Sequence, residues 1–232
     1  MTVQLTSATY TALQTHYANF QQWAIDRNFH TGATIEGQAL KMLEELGEFV
    51  GNYKRSKPVL DDLGDMLVVV NVIRCMLQQE AHKHPSVAMP PNGGDGNVAA
   101  LIAATSSAIS YILIFAYRNV EQWAVGRISS ELHRIELSVL ALCAALDVNP
   151  AAACAHAWNE IKDRRGRMEN GVFIKEADLR ARNKARLREG CSTLCENGQP
   201  CMASSDGRCA CEGIDALTQE AESLGMYGES NG

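Results

Sequence analysis

The most constraining feature of the sequence is a segment after Pro58 that has helical periodicity, is apolar on every side and still carries two carboxylates. Wound at about 100° per residue, its apolar side chains surround the axis, so this helix must be buried on most sides. Asp62 and Asp65 lie three residues apart on one face of it. The helix dipole can stabilise Asp61 or Asp62 near the N-terminus but accounts less well for Asp65. Because an unpaired buried carboxylate is costly, a metal ion is the simplest partner.

Helical periodicity covers nearly the whole chain and predicts an all-α fold. Hydrophobic residues make up 46% and charged residues 21%, which excludes a wholly disordered or fibrous chain. The sequence predicts a tight turn at Asn170-Gly171 between two short extended pieces. We expect helices over about 7–28, 35–53, 58–79, 98–119, 125–146 and 150–165, with Ser56 as the cap of the third and Asn149-Pro150 at the start of the last.

The charge distribution predicts one domain and a distinct tail. We expect an all-α domain over 1–182 with a linker loop at 84–97, then a tail over 183–232 that is basic and then rich in cysteine. Residues 162–189 hold ten basic and five acidic side chains, so the rest of the chain, whose net charge is −6 overall, is strongly acidic. That balance argues against a nucleic-acid partner. The first twenty residues lack the features of a secretory signal, so we expect a cytoplasmic protein.

One stretch, Val98 to Tyr117, has 20 residues without a charge, which is the length of a membrane span. Thr105, Ser106, Ser107 and Ser110 interrupt its apolar character, and the mean hydropathy of the chain is −0.15. We therefore expect a helix buried inside a bundle and no membrane partner. A membrane-associated protein anchored by this stretch is kept as an alternative.

The helix before Pro58 carries an acidic stripe. Winding it places one apolar face opposite a polar one. A stripe of this kind is usually a solvated surface when it stands alone, and a non-enzymatic helical adaptor is therefore a second alternative. The apolar face is Leu40, Leu43, Leu46 and Val50, and the polar face is Lys41, Glu44, Glu45, Glu48 and Asn52.

The short connection between these two helices predicts a hairpin whose acidic faces oppose one another. Gly47 and Gly64 each precede a candidate ligand, and we interpret them as positions where the two helices approach closely and leave room for an ion. An all-oxygen cluster suits Mg²⁺, with Mn²⁺ as a substitute, and Mg²⁺ often bridges to phosphates. A phosphate ester or phosphoanhydride substrate is expected.

The two acidic motifs resemble those of a known family. EELGE at Glu44 to Glu48 and DLGD at Asp62 to Asp65, with thirteen residues between them, are similar to the EExxE and ExxD motifs of the MazG-like all-α nucleoside triphosphate pyrophosphohydrolases. An N-terminal helix with Trp23 fits the family, and Ala157 to Glu176 resembles the closing segment of its phage-type members. The resemblance covers roughly residues 10–178, with the middle poorly matched.

The resemblance implies an Mg²⁺-dependent enzyme that cleaves a nucleoside triphosphate, ribo or deoxy, to a nucleoside monophosphate and pyrophosphate. By position, Glu45, Glu48, Asp62 and Asp65 would bind the metal. Glu44 would ligate the metal or orient water, and Glu44 or Glu45 is the candidate catalytic residue that orients the attacking water. Asp62 departs from the motif, which has glutamate there.

The basic residues after the last helix are candidates for binding the substrate. Lys162, Arg165 and Lys175 could hold the β- and γ-phosphates, and Lys41 on the acidic stripe could assist. The alternative is that cations simply stabilise a helix C-terminus. We interpret residues 98–146 as a degenerate second helical hairpin, which would complete a four-helix core that smaller relatives form by dimerising. A homo-oligomer is expected.

Five cysteines follow Gly190 with a spacing that matches no familiar zinc module, so the alternatives are a reduced tail and a zinc site that docks onto the helices. All proposed ligands and phosphate contacts lie between Lys41 and Lys175. A chain truncated after Arg188 should therefore keep most of its pyrophosphohydrolase activity, measured as pyrophosphate release. Stoichiometric zinc in the purified protein, with activity lost on truncation, would contradict the dispensable tail.

Overall fold

A computed structural model of the chain describes residues 2–79, 86–88, 93–118 and 122–182, so the tail cysteines lie outside the described residues. The chain divides into two compact units, Met1–Ile174 and Lys175–Gly232. The elements are β1 (Thr2–Gln4), α1 (Ser7–Asp26), α2 (Phe29–Gly32), α3 (Ile35–Lys54), α4 (Leu60–Met76), β2 (Ser86–Ala88), α5 (Gly93–Arg118), α6 (Gln122–Ala145), α7 (Pro150–Ile161), β3 (Gly166–Glu169) and β4 (Val172–Lys175). In the second unit, Arg180 pairs with Glu176 at 2.8 Å.

Helix α4 forms the centre of the first unit. It packs against α1, α2, α3, α6 and α7. Leu63, Met66, Leu67 and Ile73 are fully buried on different sides of its axis. The structure confirms both the all-α fold and the expectation that this helix is buried on most sides.

Helices α5 and α6 complete the core. They pack extensively against each other, while α5 also packs on α3 and α6 on α4. The Tyr53 hydroxyl on α3 donates to Oδ1 of Asp95 on α5 at 2.8 Å. The middle of the chain therefore covers the face of α3 and α4 that a lone hairpin would leave exposed. Its interpretation as a degenerate second hairpin stays a prediction.

One helical segment among the described residues, Asp95–Ile114 within α5, is long and apolar enough to cross a membrane, with a mean hydropathy of 1.7. A bent pair of helices, Val125–Ala145 with Pro150–Ile161, meets the same criterion only when its two members are counted as one span. Along α5, Leu101, Ala108 and Ile112 are completely buried. Length and composition of this kind also occur in core helices, so the membrane alternative stays untested.

Several helix ends follow from local sequence. Asn149 caps α7, its side chain accepting from the amides of Ala151 and Ala152, with Pro150 in the first turn. Asn170 and Gly171 both have positive φ, 50° and 80°, as the two-residue turn between β3 and β4 requires. These features confirm the corresponding predictions.

Two segments differ from the sequence expectation. Ser56 was expected to cap the third helix but has a left-handed φ of 51° and closes the end of α3 by donating its amide to the Tyr53 carbonyl. The cap position of α4 is Val59, which makes no side-chain capping bond. Within the segment 84–97, expected to be a loop, β2 pairs antiparallel with β1 and α5 already begins at Gly93.

The face of α3 that packs against the core is not the one that its leucines suggest. Leu40 and Leu43 are 69% and 53% exposed, although the predicted apolar face included both. The buried face instead consists of Ala39, Met42, Leu46 and Phe49. Their alternating spacing of three and four residues is typical of a helix that packs along its whole length. This is the face that α4 and α5 bury, because both helices pack on α3. Glu45 lies on the same face and is buried with these residues.

The glycines also act differently from the prediction. A Cβ at Gly64 would collide with the Ala153 carbonyl of α7 and lie 3.1 Å from the Ala157 Cβ, so this glycine brings α4 against α7 rather than against α3. A Cβ at Gly47 would meet nothing within 4 Å. The expectation that both glycines bring α3 and α4 together is therefore wrong.

These two glycines provide a matched pair of variants. Gly64→Ala should lower the free energy of unfolding by about 1–3 kcal/mol, because backbone must move to admit the methyl group. Gly47→Ala should raise it by about 0.5–1 kcal/mol, because alanine favours an open helical position. Denaturant unfolding measures both, and an equal effect of the two substitutions would contradict this account of the α4–α7 contact.

Candidate metal centre

Glu45 of α3 is a buried carboxylate with one satisfied oxygen. Its side chain is only 3% exposed, and its Oε1 forms an ion pair with Lys41 Nζ at 2.6 Å. Its Oε2 is buried and has no hydrogen-bond partner among the residues that the structure describes. Burial raises the pKa of this carboxyl, the Lys41 ammonium opposes the rise, and Glu48 and Glu44 add to it. Oε1 of Glu45 is therefore used by Lys41, whereas Oε2 is available to accept a further bond.

Asp65 of α4 is the most strongly perturbed carboxyl near it. Burial is the main cause that raises its pKa to about 7. Repulsion from Glu45, Asp61 and Glu160 raises it further. The Lys41 ammonium opposes the rise. We call Glu45, Asp61, Asp65 and Glu160 the carboxylate cluster, since Asp65 interacts with each of the other three.

Asp62 of α4 is not part of the carboxylate cluster and is bound by Asn52 of α3. Both of its carboxylate oxygens accept from Nδ2 of Asn52 on α3, at 3.0 and 3.1 Å. Burial raises its pKa, although the Asn52 amide opposes the rise. These contacts fix Asp62 against α3. Its predicted role as a metal ligand stays a prediction.

The remaining acids of the first motif are more exposed. Glu44, with a side chain 56% exposed, accepts from the same Lys41 ammonium at 3.1 Å. Glu48 is exposed and contributes to the electrostatics of Glu45. Lys41 is thus shared by two glutamates and lies within electrostatic reach of Asp65. The structure brings Lys41, Glu44, Glu45, Glu48 and Asp65 together.

Two of the predicted phosphate contacts, Lys162 and Arg165, follow α7. Lys162 follows the end of α7 and donates from Nζ to Asn159 Oδ1 at 2.9 Å, and Arg165 is exposed. In the described part of the chain, neither forms an ion pair with the acids of α3 or α4. Lys175 is the last residue of β4 and belongs to the second unit. Their substrate-binding roles stay predictions.

Three residues near the acids were not predicted as site residues: Asp61 at the start of α4, and His156 and Glu160 on α7. One ligand atom from each lies within 4.8 Å of the other two. The spacing of His156 and Glu160, four residues apart, places both on one helical face and was the signal available in the sequence. The contribution of α7 depends on the tertiary contact at Gly64, which no local pattern reveals.

The donor set fits a hard divalent cation. Glu45 and Asp65 offer carboxylate oxygens, the ligands that Mg²⁺ and Mn²⁺ prefer, and the Glu45 Oε2 has no other partner among the described residues. Three acids raise the pKa of Asp65, and the Lys41 ammonium lowers it. A bound cation would therefore supply the positive charge that the surrounding side chains lack.

Comparisons with known proteins show one partial relative. No family model matches the chain, and no solved structure matches it. A stretch of 63 residues, 26% of this chain, is 36% identical to an uncharacterized 18.2 kDa protein from the rep-hol intergenic region of Haemophilus phage HP1 (strain HP1c1). The match covers 39% of that protein, so it spans about two-fifths of the relative's length.

The pKa of Asp65 predicts how the metal-free protein responds to pH. Its folded pKa of about 7 lies above that of an unfolded aspartate. Its contribution to the free energy of unfolding is therefore present in full only below the unfolded pKa, and it is lost as pH rises through about 7. The substitution Asp65→Asn removes this loss of stability with rising pH, because the amide does not titrate. The stability advantage of the variant over the wild type should therefore grow by about 1–3 kcal/mol between pH 5 and pH 8.

Denaturant unfolding in the presence of a chelator measures this difference. Asp163→Asn, a change of the same kind at an exposed position after α7, is the control and should show no such growth with pH. An Asp65→Asn variant that is less stable than the wild type at pH 8 would mean that the carboxylate is structural.

Proposed function

We propose that this chain is an Mg²⁺-dependent nucleoside triphosphate pyrophosphohydrolase, with Mn²⁺ as an alternative ion. The observation that carries the proposal is the buried, unpartnered Glu45 Oε2 beside Asp65, whose pKa is about 7. Both residues belong to the two motifs that resemble the MazG-like family. A buried carboxylate pair of this kind is stabilised by a cation, and an all-oxygen cation site suits a substrate that brings phosphates.

We assign some of these side chains to bind the ion and another to orient the attacking water. Glu45 and Asp65, with Glu48 and Asp62 as the further motif residues, would hold the ion. When bound, the ion would neutralise phosphate oxygens and favour deprotonation of a nearby water. Glu44 is the carboxylate we assign to orient the attacking water and accept its proton, because it is exposed and, within the described residues, pairs with Lys41 alone.

The bond changes follow from the products. The water oxygen bonds to the α-phosphorus, the bond from that phosphorus to the bridging oxygen breaks, and pyrophosphate leaves. Lys41 is positioned by its two glutamates to face incoming phosphate charge. Lys162, Arg165 and Lys175 are proposed to complete the contacts to the β- and γ-phosphates, stabilising the charge on the leaving group.

The expected homo-oligomer is part of the same proposal. Leu40 and Leu43 leave an exposed apolar strip on α3, on the helix that carries the acids. A contiguous exposed apolar patch is a candidate subunit interface. Light scattering at several protein concentrations tests it, with dissociation expected for Leu40→Glu.

Two other functions from the sequence analysis remain alternatives. A helical adaptor with a solvated acidic stripe would show no thermal stabilisation by Mg²⁺, whereas the proposed enzyme would. A protein anchored through α5 would sediment with membranes on fractionation, whereas the proposed cytoplasmic enzyme would stay in the supernatant.

Activity provides the direct test. A panel of ribo- and deoxynucleoside triphosphates with Mg²⁺ or Mn²⁺ should yield monophosphate and pyrophosphate in equal amounts. Glu45→Gln should lower kcat/KM at least about a hundredfold, because it removes the charge of a proposed ligand. Glu36→Gln, the same change in the first turn of α3, is the control and should retain activity. Stepwise release of orthophosphate would contradict the proposal.

A further inference from the structure

Asn52 lies in the last turn of α3 and joins that helix to the second acidic motif. Its Nδ2 donates to both carboxylate oxygens of Asp62 on α4, at 3.0 and 3.1 Å. Asp62 is buried, whereas Asn52 is half-buried. Rotation of the Asp62 carboxylate about its last side-chain bond would break one of the two contacts. The amide therefore sets the direction in which the carboxylate points.

The end of α3 fixes the backbone of Asn52. Its carbonyl accepts from the Lys57 amide at 3.0 Å, and the Tyr53 carbonyl accepts from the Ser56 amide at 3.0 Å. Ser56 has a left-handed φ of 51°. These two hydrogen bonds and the left-handed residue together form a Schellman motif, which closes many helices. Asn52 is therefore held by its main chain as well as by its side chain.

Arg55 determines which way the Asn52 amide points. Its Nη2 donates to Asn52 Oδ1 at 3.3 Å. A guanidinium can only donate and an ionised carboxylate can only accept, so the amide oxygen faces Arg55 and the amide NH₂ group faces Asp62. A Cβ at Gly51 would lie 3.0 Å from Arg55 Nη2, which is tighter than an ordinary contact, so this glycine leaves room for the guanidinium. The two partners together allow one orientation of the amide.

We infer that Asn52 is a positioning residue for the proposed metal site and that it acts through Asp62. The inference rests on the proposed function, because it concerns the ion that Asp62 is proposed to help hold. The amide bonds to one side of the carboxylate and leaves further lone pairs on both oxygens for an ion or its bound water. Hydrogen bonds of this kind orient ligating carboxylates, and their loss usually lowers metal affinity about 10–100-fold.

The test measures the Mn²⁺ affinity of the full chain by titration, with free Mn²⁺ read from its electron paramagnetic resonance signal. Asn52→Leu removes the donor at similar side-chain size and should weaken binding about 10–100-fold. Asn19→Leu, the same change at a half-buried position of α1, is the control and should bind Mn²⁺ as the wild type does. In the background of Asp62→Asn, the substitution Asn52→Leu should cause no further loss, because the carboxylate through which Asn52 acts is gone.

Two outcomes would overturn the positioning role. The first is a Mn²⁺ affinity that Asn52→Leu leaves unchanged. The second is a loss that is equally large with and without the Asp62 carboxylate, since Asn52 would then act on helix packing alone. Circular dichroism shows whether each variant is folded. If Asn52→Leu is not, Asn52→Ala, which only shortens the side chain, takes its place with the same expected loss.

Pyrophosphate release by the wild type separates this inference from the proposed function. Release of pyrophosphate, together with an unchanged Mn²⁺ affinity in Asn52→Leu, overturns the positioning role alone. The expected losses of affinity in a protein that releases no pyrophosphate overturn the hydrolase alone, because the metal site would still depend on Asn52. A wild type that binds no Mn²⁺ overturns both.

Discussion

The burial of carboxylates between α3 and α4 is the constraint on which the rest of the site depends. Because α4 is surrounded by five other helices, Asp62, Asp65 and the neighbouring Glu45 lie where solvent screens charge poorly. The Lys41 ammonium lowers the pKa of both Glu45 and Asp65, and it is already shared between Glu44 and Glu45. At neutral pH this packing requires that the acids take up protons, which the raised pKa of Asp65 favours, or that they take up a cation. The second solution leads to the proposed chemistry.

Another buried charge in the same core is balanced within the protein. Arg74 and Glu136 are both completely buried, and Arg74 Nη2 lies 2.6 Å from Glu136 Oε2. One guanidinium faces one carboxylate, so the pair joins α4 to α6, and the Tyr17 side chain of α1 bonds to the same carboxylate. A pair of this kind is costly to break but adds little net stability. The carboxylate cluster differs because three other acids repel the charge of Asp65 and the Lys41 ammonium opposes them. That excess of charge distinguishes a candidate ligand site from a structural ion pair.

Local patterns in the sequence predicted the features that depend on neighbouring residues. The all-round apolar character of residues 60–76 predicted the burial of α4, Asn149-Pro150 predicted the start of α7, and Asn170-Gly171 predicted the turn between β3 and β4. The errors concern long-range packing. Leu40 and Leu43 were expected inside because they are apolar, yet α4 and α5 contact a different face of α3 and bury Glu45 instead. Gly64 was paired with the wrong helix for the same reason. No periodicity within one helix reveals which neighbour it meets, so His156 and Glu160 could not be joined to the acids of α4 from sequence.

The most direct test of the account is a crystal structure of the protein grown with Mn²⁺, with data collected at a wavelength where manganese scatters anomalously. The account predicts an anomalous peak bonded to Glu45 Oε2 and to a carboxylate oxygen of Asp65, at about 2.0–2.2 Å, as expected for a small divalent ion on oxygen ligands. A structure at saturating Mn²⁺ with no peak at these two residues, and with Glu45 Oε2 satisfied by a protein group or a proton, would contradict it. The buried carboxylates would then be a structural feature of the helical core.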